Sequence, residues 1–142
     1  MANGRFSSPG TFRQDLEQAW QDRLQDAEAL LQQGRTASAI ANSVYALEIL
    51  LKVLICKRLD LDSLPRAFEV HDLGDLLLLA GLSKRIKDPS IRKTKAIWDE
   101  VVAVAKEIND LRYRPSGNWN RRSAAKTVNR VRNRIVPWLT NA

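Results

Sequence analysis

One cysteine, one histidine and one methionine occur in this chain of 142 residues. With Cys56 alone, no disulfide can close within the chain and no cysteine-based metal site can form. His71 alone cannot supply the several imidazoles of a typical zinc site, so no metal and no other cofactor is expected. Long apolar runs are missing too. The longest, "VYALEILLKVLIC", spans 13 residues and already contains Glu48 and Lys52, whereas a membrane span needs about 20 predominantly apolar residues. The opening "MANGRFSSPG" has neither an apolar core nor a cleavage pattern, so no secretion signal is read there. A cytoplasmic protein without membrane contact is the expectation. No segment alternates apolar and polar residues as a half-buried strand would, and no internal repeat is visible.

The absence that says most about function is that of acidic residues after Asp110. Beyond it stand Arg112, Arg114, Arg121, Arg122, Lys126, Arg130, Arg132 and Arg134, eight positive charges and no negative one. The whole chain carries +7, which leaves −1 for the first 110 residues. A second basic cluster comprises Lys84, Arg85, Lys87, Arg92, Lys93 and Lys95. Charge segregated in this way points to a phosphate-bearing or acidic partner. The competing reading of any charge run is a solvated helix face.

What the chain does have is helical periodicity. Hydrophobic residues make up 44% and charged residues 27%, as in a folded globular domain. Residues 1–11 read as a flexible tail and residues 12–142 as one domain. Phe12, Leu16, Trp20, Leu24, Ala27 and Leu31 recur at spacings of four and three, a helical stripe that Gly34 should end. "TASAIANSVYALEILLKVLICKRL" is apolar around most of its circumference, which marks a helix at the centre of a bundle. Its polar exceptions, Ser38, Asn42, Tyr45, Glu48 and Lys52, share one side. Glu48 and Lys52 also stand in the favourable order for an i,i+4 pair. "DLDSLPRAFEV" reads as a connector, "HDLGDLLLLAGL" as a short third helix, and "SKRIKDPS" as a basic, proline-broken loop. A fourth helix is expected from about residue 91 to 111, turning Ile97, Trp98, Val101, Val104, Ala105, Ile108 and Leu111 inward. After the turn "RPSGNWN", a last helix aligns Ala124, Val128, Val131, Ile135 and Trp138. The fold class is all-α, an up-and-down bundle of four long helices plus one short helix.

Four stretches in this order resemble the HEPN family of small helical bundles. "LQDAEALLQQGRTASAIANSVYALEILLKVLI" is similar to the family's first helical hairpin, and "HDLGDLL" to the His-Asp-Leu that opens its short middle helix. "INDLRYRPSG" resembles its Arg-Tyr-Pro stretch, with Arg114 inserted between Tyr113 and Pro115, and the last helix ends in an aromatic, Trp138. Together they cover roughly residues 17 to 140. The resemblance implies a homodimer and, in many relatives, a small nucleotidyltransferase as partner in toxin–antitoxin or defence systems. One branch of the family comprises metal-independent ribonucleases that use an arginine and a histidine four to six residues apart across the dimer. Another branch, with the His-Asp-Leu and Arg-Tyr-Pro features, often lacks that pair and is associated with nucleotide binding. This chain looks like the second branch. In "RNRIVPWL", Arg132 and Asn133 resemble the start of the nuclease motif, but Pro137 stands in the histidine's place.

Proline cannot act as an acid or base, and its ring should kink or end the helix. Arg66 and His71 have the nuclease spacing but precede the third helix, where a structural role for His71 at the helix start is favoured over catalysis. The expectation is therefore a non-catalytic module that binds a nucleotide or RNA, with an endoribonuclease using His71 and Arg66 or Arg132 as the alternative. Arg112, Tyr113 and Arg114, with the seam of Asn42, Tyr45, Glu48 and Lys52, are the candidate ligand site, since arginine forks suit phosphate and a tyrosine face suits a base. Trp119, Arg121, Arg122, Lys126, Arg130 and Arg134 are the candidate nucleic-acid or partner surface. Trp20, Trp98 and Trp138 lie on apolar stripes and read as core. The first hairpin and last helix carry enough apolar surface to suggest that a dimer hides part of it.

Overall fold

The structure, a computed structural model, describes residues 11–111 and 120–141. It is all-α: α1 (Arg13–Gln32), α2 (Thr36–Arg58), α3 (Leu73–Leu79), α4 (Arg92–Leu111) and α5 (Arg121–Arg130). The last continues through one π-helical turn (Val131–Ile135) into α6 (Val136–Thr140). Among the described residues there is no strand, only an isolated bridge between Phe12 and Ser63.

α1 begins without a side-chain cap. Its start is held instead by the α2–α3 connector: Arg13 N–H donates to the Asp62 carbonyl and Leu64 N–H to the Thr11 carbonyl, both at 2.8 Å. Thr11 is buried and belongs with the body of the fold, whereas residues 1–10 of the expected tail lie outside the described residues. At the other end Gly34 takes φ +76°. The Arg35 N–H then reaches the Leu30 carbonyl and the Gly34 N–H the Leu31 carbonyl, the paired bonds of a Schellman cap. Only Gln33, Gly34 and Arg35 separate α1 from α2, and the two helices pack along their length.

α2 is the centre of the molecule. It touches α1, α3, α4, α5 and the π turn, and Leu47, Leu51, Val53 and Ile55 are fully buried. By length and composition this helix could cross a membrane, but 67% of its most apolar window is buried against the other helices. A core helix meets the same criteria. Where α1, α2 and α5 meet, Ala27, Ala39 and Val128 form a small buried cluster, whose short side chains let the helix axes approach closely.

α3 is capped at both ends. The Asp72 carboxylate accepts the Asp75 N–H at 2.9 Å, and Gly81, at φ +79°, closes a second Schellman cap through Leu82 N–H to Leu77 and Gly81 N–H to Leu78. Arg58 at the end of α2 donates to the Leu79 carbonyl at 2.8 Å. A Cβ on Gly81 would stand 2.8 Å from Arg58 Nε, while one on Gly34 would meet nothing within 4 Å. Both substitutions to alanine therefore carry the left-handed backbone cost of about 1–2 kcal/mol, but only Gly81→Ala also displaces Arg58. Thermal melts should show the larger loss for Gly81→Ala. Equal losses would mean that the Arg58 contact contributes nothing.

The expected basic loop at residues 83–90 is instead two 3-10 turns, Arg85–Lys87 and Pro89–Ile91, anchored by buried Ile86. The fourth helix runs as expected, with Trp98, Val101, Ala105 and Ile108 buried and Ile97 and Val104 half-buried. Trp20 and Trp138 are only half-buried, each packed against the main core, and Phe12, expected on the α1 stripe, is 41% exposed. Pro137 does not end the last helix; the irregularity expected beside it takes the form of a π turn. An α-helical path would press its ring on the Asn133 carbonyl. The π turn at residues 131–135 widens the ladder just before it and gives the ring room. Ile135, Val136 and Leu139 are all buried beyond that turn.

Candidate functional site

The polar side of α2 is not a solvated seam. Ser38, Asn42, Tyr45 and Lys52 are half-buried and Glu48 is buried, with 8% of its surface exposed. Asn42 donates its amide to the Ser38 carbonyl one turn back at 2.9 Å. The expected Glu48–Lys52 pair is not formed among the described residues. Glu48 points across to the start of α3, where its Oε2 lies 3.3 Å from His71 Nδ1. His71 itself is largely exposed, 78% by side chain, and immediately precedes the N-cap Asp72. The contact ties the α3 entry to α2 between residues 23 apart, a pairing that periodicity does not reveal.

Arg66 sits exposed on the 3-10 turn before His71 and forms no side-chain hydrogen bond or ion pair among the described residues. Arg132 is bound elsewhere, in an ion pair with Glu28 of α1. The three residues of the ribonuclease alternative are therefore not joined to one another within the chain. Arg112, Tyr113, Arg114 and Trp119 lie outside the described residues. No group of three His, Cys, Asp or Glu side chains converges on a metal-sized site among the described residues.

The basic C-terminal helix divides in two. Arg130, expected on the free surface, is half-buried and paired with Glu100 of α4, and Arg132 is paired with Glu28. These two cations lock the last helix to α4 and α1. Arg121, Arg122, Lys126 and Arg134 are exposed and form no ion pair among the described residues. They start from Asn120, whose side chain accepts the Ser123 N–H at 2.8 Å and caps α5. The second basic cluster keeps Lys84, Arg85, Lys87, Arg92 and Lys93 exposed, while Lys95 pairs with Asp99 at 2.7 Å. The one acid among them, Asp88, is held below the usual carboxylate range by hydrogen bonds from the backbone N–H and then the hydroxyl of Ser90.

Cys56 is fully buried, and burial pushes its thiol above the ordinary value, with Arg13 opposing more weakly. A buried neutral thiol is a poor nucleophile and reads as core.

Comparison with protein-family models, with characterised proteins and with solved structures finds no match. Function must be read from this chain's own residues.

Glu100 and Glu28 were invisible as site residues in the sequence. A row of arginines on a helix reads as one basic face, and only the placement of the last helix against α4 and α1 shows which members are paired.

Proposed function

We propose that the chain is a non-catalytic, HEPN-like binding module that holds RNA or a nucleotide on the basic face of its last helix, with a small nucleotidyltransferase as the expected protein partner. In this reading α1, α2, α4 and α5–α6 are the four long helices of an up-and-down bundle, and α3 is the short one. The observation that carries the proposal is the division among the cations. Arg130 and Arg132 are consumed in ion pairs, yet Arg121, Arg122, Lys126 and Arg134 stay exposed along about 20 Å of helix, at 1.5 Å per residue. Four charges without an ion pair among the described residues, on one short element, favour a polyanion.

A second reading, the ribonuclease, gains one point from the structure. A carboxylate on a histidine nitrogen orients an imidazole as catalytic dyads require, and Glu48 does this for His71. Among the described residues Glu48 is the one side chain found hydrogen-bonded to His71, and Pro137 stands in place of the acid–base group of the resembling motif. Purified protein is therefore expected to leave tRNA and messenger RNA intact. Sequence-preferring cleavage that disappears in folded His71→Ala would reverse the choice.

The homodimer belongs to the same proposal, as an isologous interface burying on the order of 1,200–2,000 Å². The apolar stripes of α1, α2 and α5 are largely covered within one chain, so this element rests on the resemblance alone. Light scattering at micromolar concentration should give the mass of two chains, and a single-chain mass refutes it.

A further inference from the structure

Between α4 and α5 runs a groove of about 310 Å³, at the lower end of the range of small-molecule sites. Its α4 wall is mostly apolar, formed by Val101, Ala103 and Val104 with the Glu100 carboxylate at one end. The α5 wall is not. Ser123, Lys126, Thr127 and Arg130 follow the i, i+3, i+4, i+7 pattern that a helix ordinarily fills with apolar side chains toward its neighbour. Their core-facing counterparts, Ala124, Val128 and Val131, lie on the adjacent stripe. This helix thus presents a second, polar stripe to α4.

Thr127 is the informative member. It is 92% buried, being 8% exposed, and its hydroxyl has no hydrogen-bond partner among the described residues, unlike Ser43 and Thr140, which bond back to carbonyls of their own helices. No fully enclosed side-chain polar atom among the described residues lacks a partner. The Thr127 hydroxyl must therefore keep its contact with the exterior through the groove it lines. A buried hydroxyl open to a cavity is satisfied by water or by a ligand. Ser123, one turn earlier on the same stripe, offers a second hydroxyl, half-buried and without a side-chain partner among the described residues. Lys126 contributes a positive charge with no ion pair among the described residues, and the Arg130–Glu100 pair, neutral in sum, stands beside it. The groove combines a mostly apolar wall, a hydroxyl that both donates and accepts, and a net charge of one cation.

We infer that this groove is a binding site for a small amphipathic anion of the size and chemistry of a nucleoside monophosphate. The base lies against Val101, Ala103 and Val104. A base edge meets the Thr127 hydroxyl, since such edges carry donors and acceptors side by side. The phosphate reaches Lys126 and the Ser123 hydroxyl. The inference deepens the nucleotide-binding proposal above by giving the mononucleotide a place distinct from Arg121, Arg122 and Arg134, and from the α2 seam.

The test is methyl and amide NMR of the full chain titrated with adenosine monophosphate, with adenosine and inorganic phosphate as half-ligands and a labelled single-stranded RNA in a parallel titration. Signals of Val101, Ala103, Val104 and Thr127 should move with adenosine monophosphate, and more weakly with each half. Thr127→Val, nearly isosteric and lacking the hydroxyl, should weaken the mononucleotide about ten-fold and leave RNA affinity unchanged. Ala103→Trp, at an exposed position, should abolish mononucleotide binding by filling the groove without touching the core. Groove signals that stay still at millimolar nucleotide, or shifts confined to Arg121, Arg122 and Arg134, would overturn the inference whatever the RNA titration shows. Mononucleotide in the groove without RNA binding would uphold it and overturn the RNA part of the wider proposal.

Discussion

RNA affinity is expected to collapse in a variant with glutamine at Arg121, Arg122, Lys126 and Arg134. Each phosphate neutralised on a single strand contributes about −0.7 to the slope of log affinity against log salt, so four lost contacts flatten that slope by roughly 3. For the wild type, a four-fold rise in salt should weaken binding about fifty-fold from these contacts alone. The variant should already be weak at low salt and nearly insensitive to its increase. All four side chains are exposed and unpaired among the described residues, so the fold should lose no more than about 0.5 kcal/mol at each position. Arg130 is excluded from the set because it pairs with Glu100. Arg130→Gln should instead loosen α5 from α4 and leave the salt slope nearly unchanged. Salt-titrated fluorescence anisotropy, with circular dichroism as the folding control, measures both. A slope that flattens as much in Arg130→Gln as in the quadruple variant would contradict the division between paired and free cations.

The largest stability loss is expected from Leu51→Ala. Leu51 is fully buried in the middle of α2, inside the main core cluster. Removing its isobutyl group loses the burial of those atoms and leaves a cavity, at a cost of about 2–5 kcal/mol. That is a large share of the roughly 5–15 kcal/mol that holds a typical domain together. Cys56 reports the same event from inside the molecule. It is fully buried and its thiol is pushed up by burial, so thiol reagents reach it only when the bundle opens. For a 2 kcal/mol loss the labelling rate should rise about thirty-fold, in step with the open population. A loss below about 1 kcal/mol with unchanged labelling would mean that α2 is not the centre of the core.

That central position was legible in the sequence because α2 is apolar on nearly every side, and only a helix surrounded by others can bury such a surface. The Gly34 and Gly81 terminations were legible for an equally local reason, the left-handed residue that ends a helix. The course of the chain at Pro137 was not. Proline announces a missing hydrogen bond and a steric conflict, but whether a helix ends, kinks or widens there depends on what packs on either side. Here Val131, Ile135, Val136 and Leu139 are all buried, and that burial favours keeping the helix going through a π turn. The site shows the same boundary between local and long-range information. The basic stretch was plain, but the Arg130–Glu100, Arg132–Glu28 and His71–Glu48 contacts join residues 30, 104 and 23 positions apart. No pattern within one helix specifies such partners. The polar stripe of Ser123, Thr127 and Arg130 was hidden inside the same basic run, because its meaning depends on which side of α5 faces α4.

The most direct test of the central claim is one titration of wild-type protein with a fluorescently labelled single-stranded RNA, at low salt and at several higher salt concentrations. Each sample is run on a denaturing gel afterwards. The account predicts saturable binding that weakens as salt rises, with a slope of about −3 for four contacts, and RNA that stays at full length. No binding at the lowest salt would contradict the account, and so would binding accompanied by cleavage at preferred positions.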